Sequence, residues 1–205
     1  MFWKRRKADG NLVGSLFDTD AGRINELKLA TISTVSCLHE GGHLLVAKLK
    51  GLPVKAVRLP SVESFFEGAG PLPSVEIADP GSAAAKFFFH MGGLFGEVSP
   101  FTTKDIEGRW EDLIVLTGGA IGDLKKAVET CPDPAMSKDI DNALRASNNG
   151  MDRRSLLRRF RFYQLPEFEL FRRHRREHMK FASAMYDRWR AADFGNVDLV
   201  DLARL

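Results

Sequence analysis

Two kinds of period run through this chain. From about Ala21 to Lys50 the spacing is helical: at 100° per residue, Ile32, Val35, His39, His43 and Val46 all fall within about 40° of His39, so one apolar stripe carries two histidines. Asp18-Thr19-Asp20 offers N-caps ahead of this helix, and Gly51 and Pro53 stop it. Val54 to Leu59 and Ser74 to Ile77 read as short strands joined by a Gly/Pro-rich connection. Ser82 is positioned to cap a helix through Phe87, Phe88 and Phe89, which the glycines from Gly92 to Gly96 are expected to break. A further helix is expected from about Asp105 to Thr117, interrupted at Gly118-Gly119 before Leu124 to Glu129. Pro132 and Pro134 mark a loop, after which Ser137 caps a helix from about Lys138 to Ala146. The last third reads as two helices separated near Pro166, with Phe171, His178, Ala182, Met185 and Trp189 on one face, and a short helix after Asn196. Residues 1–20 show no period and read as a tail. Residues 21–205 then form one domain of the mainly α (α+β) class, with a small β-sheet or hairpin after the first long helix.

Composition narrows the class without changing that picture. With 205 residues, 44 % hydrophobic and 28 % charged, the chain matches an ordinary globular protein and excludes wholesale disorder. No run approaches the roughly 20 apolar residues that cross a bilayer. The opening Met1-Phe2-Trp3-Lys4-Arg5-Arg6-Lys7 lacks the apolar core of a secretion signal. Cys37 and Cys131 are too few for a disulfide framework and fit a reducing compartment, so a cytoplasmic protein is expected. A net charge of +3 gives no reason to expect a nucleic-acid partner. Between Asp152 and Lys180, however, ten Lys/Arg face four acids. Such a stripe is either a solvated helix face or a surface for an acidic partner, and the first is the default.

Chemistry concentrates in His39-Glu40-Gly41-Gly42-His43. Two histidines at i and i+4 stand one helical turn apart, so both imidazoles can meet one Zn²⁺. Glu40 is displaced about 100° around the axis, beside the ion rather than on it. There it can act as general base toward a water that the metal acidifies. Gly41 and Gly42 each cost a helix interior about 1 kcal/mol relative to alanine, which suits a place where a substrate or a second element comes close to the backbone. His174-Arg175-Arg176-Glu177-His178 has the inverted order of another zinc-peptidase class. No glutamate follows it as a further ligand, and arginines flank it, so a core histidine at 178 is the better account.

From this first helix onward the chain resembles the proteolytic domain of the FtsH-type ATP-dependent zinc proteases. The likeness rests on Cys37 to Ala47, on the strand Leu52 to Pro60, on Leu113 to Ala120 with its double glycine, and on Ser137-Lys138-Asp139-Ile140-Asp141-Asn142-Ala143. Ile121-Gly122-Asp123 departs from the family pattern. The resemblance implies that His39, His43 and Asp139 bind zinc and that Glu40 is the general base, with peptides or unfolded proteins as substrates. Asp141, Asp123, Glu97 and His90 are rivals for the third ligand position. Three protein ligands leave the open position of a catalytic rather than a structural zinc site. The strand Val54 to Leu59 could present a sheet edge to an extended substrate, or simply pack. The family's ATPase module is missing, since the sequence has no Gly-x-x-x-x-Gly-Lys-Ser/Thr loop. A zinc endopeptidase working without ATP, or with a separate partner protein or as a homo-oligomer, is therefore expected. The alternative is a non-catalytic binding or regulatory module on the same fold.

Overall fold

The protein is described from a computed structural model covering residues 21–62, 71–79, 81–100, 118–147, 155–156, 159–199 and 201–202, with side chains in the first helix from Thr31 and in the helix at 118 from Gly119. The expected tail at 1–20 and helix at 105–117 lie outside the described residues.

Helix α1 (Ala21–Lys50) runs through the middle of the domain. It ends on Gly51, whose φ of 63° only glycine adopts freely. Gly51 N–H bonds Lys48 C=O and Leu52 N–H bonds Ala47 C=O, a paired closure that satisfies the last carbonyls of the helix. The chain turns directly into β1 (Val54–Leu59), which pairs antiparallel with β2 (Ser74–Ile77) and with the two-residue β3 (Val197–Asp198). The sheet order is β2-β1-β3. β1 is thus the central strand, covered by β2 along one side and by β3 only at its C-terminal end; where the sheet meets the site, it does so through β2. Val57 and Leu59 are buried on one face of β1, and Ala56 is buried on the other, where Arg58 is exposed.

Helix α2 (Ala83–Val98) starts where Ser82 caps it, its hydroxyl accepting from Ala85 N–H. It does not break at the glycines. The expected penalty is outweighed because those glycines are where α2 touches α1: a methyl on Gly92 would lie 2.9 Å from the carbonyl oxygen of Gly42, and one on Gly42 would lie 2.9 Å from the carbonyl carbon of Gly92. Small residues let two backbones meet, and the burial gained along the phenylalanine-rich helix exceeds the lost propensity. Gly41 faces another neighbour, the backbone of Ala182. The second element expected beside Gly41 and Gly42 is therefore a pair of helices.

Helix α3 (Gly118–Thr130) includes Gly118 and Gly119 in its first turn, and α4 (Pro134–Ala146) follows. α4 begins one turn earlier than Ser137 suggests: Asp133 is the cap, accepting from Ala135 N–H and Met136 N–H, and Pro134 occupies the first position, where its missing N–H costs nothing. Helix α5 (Pro166–Arg173) opens at Pro166 as expected, preceded by a 3₁₀ turn at Phe162–Gln164, and a break at His174 separates it from α6 (Arg175–Ala191). After Asn196 the chain first forms β3, because pairing with Arg58 and Leu59 satisfies its backbone, and a helical turn follows at residues 201–202. Phe171, His178, Ala182, Met185 and Trp189 are all buried. Arg159, Arg161, Arg172, Arg173, Arg175, Arg176 and Lys180 are exposed, with Arg172 and Arg173 paired to Glu169, so this part of the basic stripe is a solvated face. Among the described residues no helix is long and apolar enough to cross a membrane.

Candidate metal centre

The stripe on α1 delivers both imidazoles to one point. His39, Glu40 and His43 are buried, and Asp123 of α3 joins them. Asp123 Oδ2 stands 3.0 Å from His39 Nε2 and 2.8 Å from His43 Nε2, and the two Nε2 atoms are 3.2 Å apart. Ligand atoms held at about 2.0–2.1 Å around a tetrahedral ion stand about 3.3 Å from one another, close to this triangle.

The outer nitrogens decide what the inner ones can do. His43 Nδ1 lies 2.7 Å from the carbonyl oxygen of Phe89, which can only accept, so Nδ1 carries the proton. His39 Nδ1 lies 2.7 Å from Glu97 Oε1 and donates to it likewise. In the neutral rings both Nε2 atoms therefore present bare lone pairs, aimed at each other and at a carboxylate oxygen. Three electron-rich atoms within 3.2 Å repel unless a cation or extra protons lie between them. This donor set fits a divalent metal ion: His39, His43 and Asp123 lie close enough to hold one.

The electrostatics follow from the same packing. Burial works against an imidazolium at His39, but hydrogen bonds to Asp123 and Glu97 outweigh it and hold its pKa well above the ordinary value. Burial likewise works against the Asp123 carboxylate, yet the charge of His43 and the hydrogen bonds of both histidines hold its pKa far below the usual range. Lys126 Nζ, 3.4 Å from Asp123 Oδ1, attends the other oxygen of that carboxylate.

Glu40 differs from its neighbours. Its carboxyl is 4.0 Å from His39 Nε2, and its Oε2 is buried with no hydrogen-bond partner among the described residues. Burial raises its pKa, partly opposed by His39 and His43 and reinforced by Asp123. It faces a cavity of about 640 Å³ between α1, α3 and β2, whose walls include Ile32, Val35, Leu72, Val75 and Phe89. The backbone of Val75 in β2 weakly opposes the rise in the Glu40 pKa.

Asp139, expected as the third ligand, is exposed on α4 and stands outside this cluster. The apolar stripe of α4 is Ile140, Ala143 and Leu144, and Asp139 lies about 100° from Ile140, turned to solvent. Asp123 takes the place instead. It sits among Ala120, Leu124 and Ala127 on the buried face of α3, and an acid on a helix's apolar stripe was the sequence signal for it. Asp141, Glu97 and His90 do not enter the triangle: Asp141 bonds Arg145, Glu97 stands behind His39, and His90 is half-buried with its pKa lowered to about 4, first by burial. His178 is a core residue: its Nε2–H donates to Leu38 C=O, its Nδ1 accepts from Ser99 Oγ, and burial lowers its pKa to about 4. Cys37 is a buried thiol, pushed up to about 12 by burial and by Glu40.

No protein-family model, no curated protein and no solved structure matches this chain.

Proposed function

We propose that this protein is a metal-dependent peptidase, a zinc endopeptidase that hydrolyses peptides or unfolded chains without ATP or with a separate partner. The observation that carries the reading is the convergence of three lone-pair donors beside Glu40, which lines the same cavity and whose buried Oε2 has no hydrogen-bond partner among the described residues. A divalent ion held by His39, His43 and Asp123 supplies Lewis-acid polarisation of a carbonyl and acidifies water. The chain's own residues do the rest. Glu40 accepts a proton from the attacking water as its oxygen bonds the carbonyl carbon, then passes that proton to the departing amine nitrogen as the C–N bond breaks. Its raised pKa suits the first half of that exchange, since a carboxylate that binds protons more tightly is a better base. The apolar walls at Ile32, Val35 and Leu72 take a substrate side chain and exclude bulk water from the carboxyl. Two histidines and a carboxylate also serve iron in oxygenases, but a proton-accepting acid beside the open face favours hydrolysis.

The test compares wild type and Glu40→Gln for bound zinc and for cleavage of casein. The variant is expected to keep one zinc per chain and to lose cleavage. Equal cleavage by both proteins refutes the reading.

A further inference from the structure

The two imidazoles are held from behind by a single face of α2. Phe89, Gly93 and Glu97 follow one another every four residues on that helix, opposite His43 and His39 on the antiparallel α1. The Phe89 carbonyl takes the Nδ1–H of His43, and the Glu97 carboxylate takes that of His39, both at 2.7 Å. Between them Gly93 forms the slot for the His39 ring: a methyl there would lie 2.5 Å from Nε2 and 2.8 Å from Nδ1. Glu97 is 6 % exposed on a helix whose other buried residues from Phe87 to Val98 are apolar or glycine, where an acid is costly unless a donor meets it. His39 supplies that donor. The distance also shows why Glu97 is no ligand, since it grips the nitrogen that points away from Asp123 and His43.

We propose that Glu97 is a positioning residue of the metal centre, fixing His39 in the tautomer with Nε2 bare and strengthening that nitrogen as a donor to the ion. The two ligands are then unequal. His43 leans on a neutral carbonyl, whereas His39 leans on a carboxylate, and a charged acceptor pulls harder on the shared proton and leaves more electron density at Nε2. The inference rests on the metal reading above.

The experiment titrates the full chain with Zn²⁺ alone, in competition with a chromophoric chelator, for wild type and Glu97→Gln. Gln keeps the shape and removes the charge. The variant is expected to bind zinc about 10–100-fold more weakly. In the zinc-loaded wild type, proton NMR is expected to show the His39 Nδ1–H far downfield, moving upfield in the variant. Affinities within twofold of each other, or a His39 Nδ1–H at the position of an unassisted imidazole in wild type, overturn the role of Glu97. The wild-type spectrum decides alone if the variant does not fold. A wild type that takes up no zinc is a different failure, since it removes the metal reading itself.

Discussion

Replacing Gly42 by alanine puts the helix contact behind the site to a quantitative test. In isolation the change favours the helix by about 1 kcal/mol. In place, the new methyl overlaps the Gly92 carbonyl oxygen and comes within 2.9 Å of its carbon and 3.1 Å of Gly96 Cα, all backbone atoms that cannot rotate away. Carbon atoms rest at about 3.5–4.0 Å, so α1 and α2 must part by at least about 0.6 Å. That movement lengthens the 2.7 Å bonds from His39 to Glu97 and from His43 to Phe89 toward or beyond the useful limit. Overpacking alone costs about 1–3 kcal/mol, and each weakened buried hydrogen bond about 1 kcal/mol or more. The net expectation is a loss of at least about 2 kcal/mol, which for a chain of this size lowers Tm by about 4–8 °C. Thermal melts of the metal-free protein read it directly. Gly122→Ala is the control, because a methyl there meets nothing within 4 Å, and it should gain up to about 1 kcal/mol. Gly41→Ala, 3.2 Å from Ala182 N, should fall between them. A Gly42→Ala protein that melts at or above wild type refutes the claim that this glycine sets the helix separation.

Three other outcomes follow from the same geometry. Asp123→Asn should lose stoichiometric zinc, a larger effect than the about 10–100-fold of an outer partner, while Asp139→Asn keeps it; zinc per chain after desalting checks both. Gly93→Ala should rotate the His39 ring off its slot and weaken zinc binding about tenfold or more with the helix content unchanged, read by chelator competition and circular dichroism. His178 predicts an acid sensitivity of the fold. Burial, with the charge of Arg175, lowers its pKa from 6.5 to about 4 against the bond to Leu38, so the unfolded chain takes the proton first. Its contribution is complete above pH 6.5 and is lost as the pH falls toward 4, about 3 kcal/mol in all. Urea unfolding of wild type and His178→Gln across that window should show the difference shrinking with acid, and a constant difference sinks the reasoning.

Much of this molecule is local and therefore readable along the chain. The i, i+4 spacing of His39 and His43 and the rotation of Glu40 are fixed by helix geometry, which no packing alters. The stop at Gly51, the cap at Ser82 and both strands of the hairpin also depend on a few neighbouring residues. Glycines defeated the local reading. At Gly92, Gly93 and Gly96 the low helix propensity is real, but contact with α1 and with the His39 ring overrides it, and that contact is visible only when the two helices lie together. The third acidic position failed for a related reason. Asp123 and Asp139 carry the same side chain, 80 and 96 residues beyond His43, and nothing local says which helix will lie against α1. The buried stripe of α3 carries one of them to the histidines, and the stripe of α4 turns the other to water. Sequence alone settled which residue types stand one turn apart, because a helix is a short-range object; which carboxylates complete and brace that pair was left to the packing of α2 and α3, because burial is decided by surfaces far apart in the chain.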